Sequence, residues 1–175
     1  TERKAPHMLT FTLPAERHEA DVRSFYREIA QAGDTCIGCG SAGDFAVWLA
    51  EMRNRHTGTN LPDGYVREDF YLCCEGDLLV GVFSLKFELT DFLLHYGGHI
   101  GYAVRPSQRG RGLASQMLRQ GLALARASGL SRVLCVCDED NPASEAVILK
   151  NGGILENRLY DPDERVSVKR FWIDL

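Results

Sequence analysis

Apolar residues recur with the 3.6-residue period of a helix in residues 15–31 and again in residues 44–55. Pro14 precedes the first stretch, a position that suits the first turn of a helix. The pattern predicts two amphipathic helices near the start of the chain, joined by a Gly- and Cys-rich loop at residues 33–43. Their predicted core positions are Val22, Phe25, Tyr26, Ile29, Phe45, Trp48, Leu49 and Met52.

Alternating or continuous apolar runs predict strands in the rest of the chain. Two of these runs flank a turn at Gly76, which predicts a β-hairpin. Residues 91–96 fit a short helix or a lid-like loop, and residues 113–127 are strongly helical. The order of elements predicts an α/β fold, a mixed sheet with helices on both faces. The predicted strands cover residues 8–13, 66–74, 78–89, 99–104, 132–137, 154–160 and 166–173.

Length and charge narrow the function classes. The chain has 175 residues, 45% of them hydrophobic, and a formal net charge of −4. We expect one domain over residues 8–175, with residues 1–7 a disordered or expression-derived extension. Nucleic acid is not an expected partner, because phosphate neutralisation needs a basic stripe. No apolar run is long enough to span a bilayer and the first residues are polar, so we expect a cytoplasmic protein without membrane association.

The six cysteines leave three interpretations open. Cys36 and Cys39 have the C-x-x-C spacing of zinc and redox sites, but no second such pair accompanies them. Cys135 and Cys137 share one face of a predicted strand, where free cysteine behaves as a small hydrophobe. We therefore expect inert thiols and no metal, with zinc and redox roles as the alternatives.

The most informative segment runs from Val104 to Ala114, between a predicted strand and a predicted helix. Glycines 110 and 112 remove side chains where backbone N–H groups at a helix N-terminus would meet an anion. Arg109 and Arg111 add fork-shaped donors beside them. The spacing differs from that of P-loops and of dinucleotide fingerprints. The segment therefore predicts a phosphate-binding turn; a surface turn without a ligand is the alternative.

This segment resembles the acyl-CoA pyrophosphate loop of the GNAT superfamily of acetyl-CoA-dependent acyltransferases, whose pattern is [Q/R]-x-x-G-x-[G/A]. The similarity continues through Asn141-Pro142-Ala143-Ser144, similar to the family's N-x-x-[A/S], and through Gly152-Gly153. It spans residues 66–173, and a G-G-H-I-G-Y-x-x-R-P run at residues 97–106 is similar to a little-characterised bacterial branch. The resemblance implies a mostly antiparallel central sheet with a splayed pair of central strands.

The resemblance also implies how acetyl-CoA would bind as co-substrate. Backbone amides would hold the pyrophosphate, and the strand edge at Ala103 and Val104 would pair with pantetheine, with one N–H stabilising the oxyanion. Asn141 would contact pantetheine, with help from Ser144, or would simply cap a helix. The implied cofactor-binding residues are Ala103, Val104, Arg109, Gly110, Arg111, Gly112, Leu113, Ala114, Asn141 and Ser144.

Proton transfer is where the chain departs from the family. Many relatives carry a tyrosine seven residues after the motif asparagine, but this chain has Ile148. Tyr160 or Tyr102 could replace it as acid, or the thiolate could leave unassisted, since a thiol pKa is near 8.5. His99 is the expected base, because its ordinary pKa suits proton transfer near neutrality. Glu88 and His95 are the alternatives.

Together these features predict an N-acetyltransferase that moves an acetyl group from acetyl-CoA to a primary amine by direct transfer in a ternary complex. The acceptor would be a small molecule or a peptide, and a homodimer is compatible with the sequence. The alternative is a catalytically weak acyl-CoA-binding sensor or interaction protein, because the usual tyrosine is missing.

Overall fold

A seven-stranded sheet forms the centre of the protein, with the order β1-β2-β3-β4-β5-β7-β6. The computed structural model describes residues 8–40 and 43–175, so the predicted extension at residues 1–7 lies outside the described residues. β4 and β5 are parallel, and every other pair of neighbouring strands is antiparallel. The strands are β1 (Thr10–Thr12), β2 (Glu68–Glu75), β3 (Leu78–Lys86), β4 (Ile100–Val104), β5 (Arg132–Asp138), β6 (Ile154–Asp161) and β7 (Val166–Asp174).

Within the described residues, four α-helices cover the two faces of this sheet. They are α1 (Glu19–Gln31), α2 (Phe45–Thr57), α3 (Leu113–Ala127) and α4 (Pro142–Lys150). Trp48 and the other apolar side chains of α1 and α2 pack with Phe70, Leu72 and Val82 on what we call the α1–α2 face. Met117 and other side chains of α3, with Ile148 of α4, pack on the opposite face, the α3–α4 face. Short 3-10 helices and a π-helical turn (Leu93–Gly97) complete the connections.

Local signals fix the helix ends. Asp44 precedes α2, and its Oδ1 accepts the N–H of Val47 at 3.2 Å, an N-cap that satisfies one of the otherwise unpaired amides. Gly58 ends the same helix with a φ of 72°, a left-handed conformation that glycine adopts without strain. The prediction of this helix from periodicity alone is confirmed.

α3 lies unusually close to the sheet at Gly121. A Cβ placed on this residue would stand 1.9 Å from Cζ of Phe83 on β3, well inside van der Waals contact. Phe83 is fully buried, as is the neighbouring Met117 of α3. The absence of a side chain at Gly121 therefore sets how closely α3 packs on β3, and α3 carries the segment predicted to bind phosphate.

The predicted fold class is confirmed, including the splayed central strands. β4 and β5 share one register pair, Ile100 with Cys135, and diverge beyond it. The segment at residues 91–97 is a helical turn rather than an open loop. In the described parts of the chain, no helix is both long and apolar enough to cross a membrane.

Candidate active site

A groove of about 870 Å³ opens where β4 and β5 separate. This volume lies within the range of small-molecule and cofactor sites. Side chains from both faces of the sheet line it, because the gap between the strands passes through the sheet. Ile37 belongs to the α1–α2 connection, whereas Ala114 and Ser144 belong to α3 and α4. The groove therefore connects the two faces of the molecule.

One end of the groove is formed by the predicted phosphate-binding turn. Gly110 and Gly112 have φ values of 78° and 75°, and a Cβ on either would project into open space. Glycine suits both positions because it adopts a left-handed backbone conformation without strain, and not because a larger side chain would collide with its surroundings. The Gln116 N–H donates to the Gly112 carbonyl at 3.2 Å, so the N–H groups of Leu113 and Ala114 come too early for a bond within the helix. The helix N-terminus offers bare amides to the groove.

The two arginines of the turn differ in position. Arg109 lines the groove, and its guanidinium contacts Asp34 at 2.8 Å, an ion pair that joins this turn to the α1–α2 connection. Arg111 does not line it, because its guanidinium binds both carboxylate oxygens of Glu75 at 3.0 and 2.8 Å. The other predicted cofactor-binding residues all line the groove. For Arg111, only the backbone can take the predicted role without breaking this pair.

The strand register separates the roles of Ala103 and Val104. Two backbone hydrogen bonds fix which residues of β4 bond to β3. The Lys86 N–H donates to the His99 carbonyl, and the Arg105 N–H donates to the Val80 carbonyl. By the alternation of an antiparallel ladder, Ala103 also directs its N–H and C=O to β3. Val104 directs its own toward β5, where the partner strand has diverged. Of the two predicted oxyanion donors, only Val104 presents a free N–H to the groove.

Asn141 caps α4, and Pro142 occupies the first position of the helix. Asn141 Oδ1 accepts the N–H of Ser144 at 3.1 Å. Asn141 therefore caps the helix and also lines the groove, so the cap does not exclude the predicted contact with pantetheine. Its N–H₂ group remains a donor toward the groove.

Tyr102 and Ser144 form a pair of hydroxyl groups across the groove. Their oxygens lie 2.8 Å apart, and both residues line the cavity. Burial, followed by the neighbouring cysteines, raises the pKa of Tyr102 to about 12, although the Ser144 hydrogen bond lowers it. Tyr102 therefore keeps its proton near neutrality. Ile148, which stands where many relatives have a tyrosine, is buried in the core. Tyr102, one of the two replacements considered from sequence, lies in the groove.

His99 does not have the geometry of a base, which corrects the expectation from sequence. Its ring Nδ1 accepts the backbone N–H of Leu134 at 2.9 Å, and the backbone N–H of His99 donates to the Leu134 carbonyl at 2.8 Å. A neutral imidazole has one acceptor nitrogen, which is already in use. Burial first, then Lys86 and Arg132, lowers its pKa to about 4. His99 instead holds β4 to β5 where the two strands begin to diverge.

Tyr160 also fails to reach the groove. It lies on the edge strand β6 with its side chain 59% exposed, and its carbonyl oxygen is 3.5 Å from the hydroxyl of Tyr96. The alternative base His95 is exposed and bonds to the Asp91 carbonyl through Nδ1. Neither these residues nor Glu88 lines the groove. The structure therefore brings the predicted cofactor residues and Tyr102 to the groove, but not Tyr160 or His99.

Cys36 lines the groove, which the sequence did not indicate. Burial raises its pKa to about 12, and the nearby Cys39 contributes to the same shift, so the reactive thiolate is disfavoured. In the ranges 8–40 and 43–175, no cluster of His, Cys, Asp or Glu could hold a metal ion.

Sequence comparison identifies the family. Residues 4–154 match the family model described as an acetyltransferase (GNAT) domain, which is most of the chain. The chain belongs to the GNAT acetyltransferase family. The match confirms the resemblance that the turn, Asn141 and Ser144 indicated.

Individual relatives agree with this family. The chain is 36% identical over 97 residues to the ribosomal-protein-serine acetyltransferase of Escherichia coli K12, a match over 55% of the chain and 51% of that protein. The aligned part therefore spans about half the length of that GNAT relative.

Solved GNAT structures share the fold. RimL, a ribosomal-protein α-N-acetyltransferase in complex with coenzyme A, superposes with a TM-score of 0.73 at 18% identity, covering 96% of this chain and 94% of its own. The microcin self-immunity acetyltransferase MccE, in complex with acetyl-CoA and AMP, gives 0.70 at 16% identity and covers 98% of both chains. At such identities the likeness concerns the fold. Both structures contain the co-substrate, or its CoA part, that the sequence predicted.

Proposed function

We propose that the protein is an N-acetyltransferase that transfers the acetyl group of acetyl-CoA directly to a primary amine in a ternary complex. The observation that carries this proposal is the groove that begins at the bare N-terminus of α3 and passes between the diverging strands β4 and β5. Such a passage lets a cofactor and an acceptor meet from opposite faces. The catalytic unit in this proposal is the single domain at residues 8–175.

The cofactor would lie along the predicted path. The diphosphate binds the amides of residues 110–114, where the helix dipole also favours negative charge. The amide-rich pantetheine arm donates to the Val104 carbonyl at the free edge of β4, as an added strand would, and this leaves the Val104 N–H available. The amide of Asn141 contacts the same arm from the other wall. In this arrangement the thioester points toward Tyr102, in the middle of β4.

The chemistry requires one bond to form and one to break. The amine nitrogen attacks the thioester carbon, and the resulting oxyanion accepts a hydrogen bond from the Val104 N–H. The C–S bond then breaks and CoA leaves as a thiolate. Tyr102, which keeps its proton, donates a hydrogen bond to this sulfur, supported by Ser144. A full proton transfer is unnecessary, because a thiolate with an ordinary pKa near 8.5 is a tolerable leaving group.

The acceptor would enter from the α1–α2 face, since the cofactor fills the opposite end of the groove. Ile37, Gly97 and Gly101 line the groove on this side. Among the described residues lining the groove there is no imidazole. In this proposal water takes the proton of the amine before or during attack. GNAT relatives are named for ribosomal-protein and spermidine acetylation, so a peptide or a small molecule both remain within this proposal.

A binding protein without turnover is the second candidate, and Ile148 favours it. This residue stands where many relatives have a tyrosine, and it is 1% exposed within the core. Thiol release from acetyl-CoA in the presence of a panel of amines separates the two functions. Release above the hydrolysis background supports the enzyme. Binding of CoA without release for any amine supports the sensor.

Gly112→Glu tests the cofactor position. It would place a carboxylate at the helix N-terminus and oppose the diphosphate, so acetyl-CoA affinity measured by calorimetry should fall at least about tenfold. Gly129→Glu is the matched control, because Gly129 also has a positive φ of 91° and open space but follows the far end of α3. Equal affinities for both variants would place the diphosphate elsewhere.

A further inference from the structure

A partly buried lysine, Lys86, lies on the α1–α2 face, next to the acceptor side of the groove. Strand register places Lys86 opposite Glu68, and Ser84 opposite Gly101. Because alternate residues of a strand share a face, Lys86, Ser84 and Gly101 point to the same side of the sheet. Gly101 lines the groove. Lys86 is thus one side chain away from the place where the acceptor would sit.

Ile37 and Ser84 define this place more closely. A Cβ on Gly101 would stand 2.9 Å from Cγ2 of Ile37 and 3.3 Å from Oγ of Ser84. The α1–α2 connection and β3 therefore meet directly above the middle of β4. Ser84 in turn lies 3.4 Å from Nζ of Lys86, which links the ammonium group to the groove floor.

The ammonium group of Lys86 has weak partners. Its Nζ is 3.7 Å from the nearest carboxylate oxygen of Glu68, too long for a hydrogen bond. An ammonium group has three N–H donors, and the Ser84 hydroxyl at 3.4 Å is a long contact for one of them. The side chain is 19% exposed, so water reaches it only in part. Lys86 does not itself line the groove, but its ammonium group has unused donor capacity beside Ser84.

The charge around Lys86 is not balanced. Glu68 contacts both Arg55, at 3.5 Å, and Lys86, so one carboxylate faces two cations. On the other side, at the start of β4, burial lowers the pKa of His99, and the cations Lys86 and Arg132 lower it further. Burial lowers the pKa of Lys86, whereas Glu68 opposes this shift and favours the charged form. This part of the α1–α2 face favours an anion and opposes a second cation.

We propose that the acceptor is a primary amine that also carries a carboxylate, and that Lys86 binds this carboxylate as a specificity-determining residue. The inference rests on the proposed acetyl-transfer function and deepens it. The carboxylate can belong to an amino acid or to an acidic side chain near a peptide N-terminus. Polycations such as spermidine are disfavoured acceptors, because their additional ammonium groups meet Lys86 and Arg55.

The test compares acceptors that differ in one charge. The peptide pair is Ala-Asp-Gly-amide and Ala-Asn-Gly-amide, and the small-molecule pair is β-alanine and its amide. Values of kcat/KM from thiol release are corrected for the fraction of free amine. In at least one of the two pairs, the wild-type kcat/KM for the acid should exceed that for its amide by at least about tenfold. A hydrogen bond to a charged group contributes an effect of this size. The pair that shows the larger ratio identifies the source of the carboxylate.

Two variants assign this preference to Lys86. Lys86→Met should reduce the acid-to-amide ratio to near one, mainly through KM, while turnover of the amide member persists. Lys86→Arg keeps the positive charge and should retain most of the preference. Lys169→Met is the matched control, since Lys169 is a partly buried lysine paired with Glu145 on the α3–α4 face. It should leave the ratio unchanged.

The outcomes separate the two proposals. Turnover of amides and acids at equal kcat/KM by wild type would overturn the role of Lys86 and leave the acetyltransferase function intact. A preference that survives in folded Lys86→Met would also overturn it. If that variant does not fold, Lys86→Gln, which also removes the positive charge, takes its place and should likewise reduce the ratio to near one. No thiol release with any acceptor would overturn both proposals.

Discussion

The neutral state of His99 predicts how the protein responds to mild acid. Its folded-state pKa is about 4, against an ordinary value of 6.5, because burial and two cations disfavour the imidazolium. As pH falls below about 6.5, the unfolded chain takes up a proton at this position and the folded chain does not. The unfolded state then binds more protons, so stability decreases with decreasing pH. The stabilisation is fully present above the unfolded pKa and is lost toward the folded pKa.

The size of the effect follows from the two pKa values. Linkage gives a loss of about 2 kcal/mol between pH 7 and pH 5, approaching about 3 kcal/mol near pH 4. His99→Asn removes the titrating group while the amide oxygen can still accept the Leu134 N–H. The variant loses the ring packed against Trp172 and should be less stable than wild type at pH 7 by about 1–2 kcal/mol. At pH 5 this deficit should shrink or vanish.

Urea unfolding at both pH values measures the difference. In this window the shifted carboxylates contribute little, because the pKa values of Glu16, Glu28 and Glu156 are all lowered from 4.5. His95→Asn, a change at an exposed histidine, should keep the wild-type dependence on pH. If His99→Asn loses as much stability between pH 7 and pH 5 as wild type does, the fold does not hold this imidazole neutral and the argument fails.

Two other substitutions test the packing and the chemistry of the groove. Gly121→Ala should destabilise the protein by about 1–3 kcal/mol, because its Cβ would overlap the Phe83 ring. Calorimetry should then show a lower Tm. A stabilisation of about 1 kcal/mol, as is usual for Gly-to-Ala changes in helices, would show that α3 can move away from β3 without cost. Tyr102→Phe should lower kcat by about tenfold to a hundredfold with little change in acetyl-CoA affinity, because it removes the hydrogen bond to the departing sulfur. An unchanged kcat would exclude that contact.

Periodicity predicted the elements whose pattern is local. The prediction of residues 113–127 as a helix matches α3 at both ends, because apolar spacing defines the body of this helix and glycines flank it. The hairpin of β2 and β3 was predicted for the same reason, although β3 ends at Lys86 rather than at residue 89. The end of β3 at Lys86 is set by its pairing with the next strand, since the Lys86 N–H donates to the His99 carbonyl. The local sequence pattern of β3 carries no information about this pairing.

The turn at Gly110 and Gly112 could be located from sequence, because the left-handed backbone that glycine favours is a local property. The role of His99 could not, since it depends on the Leu134 N–H, a partner on another strand. The different orientations of Ala103 and Val104 depend on the register with β3. Ile37 was missed for a related reason, because its contact with Gly101 crosses from a loop to the sheet. Catalytic geometry here is set by tertiary partners that sequence spacing does not report.

The ion pair between Arg109 and Asp34 makes the two walls of the groove dependent on each other. A diphosphate that recruits the Arg109 guanidinium must compete with the Asp34 carboxylate for it. Binding of acetyl-CoA in the proposed position would therefore exchange one anion for another at Arg109, and the gain in binding free energy would be smaller than for an arginine without a partner. Asp34 and Ile37 belong to the same α1–α2 connection. Binding of acetyl-CoA at Arg109 would therefore weaken the ion pair that holds this connection, on the side of the groove where the acceptor is proposed to bind.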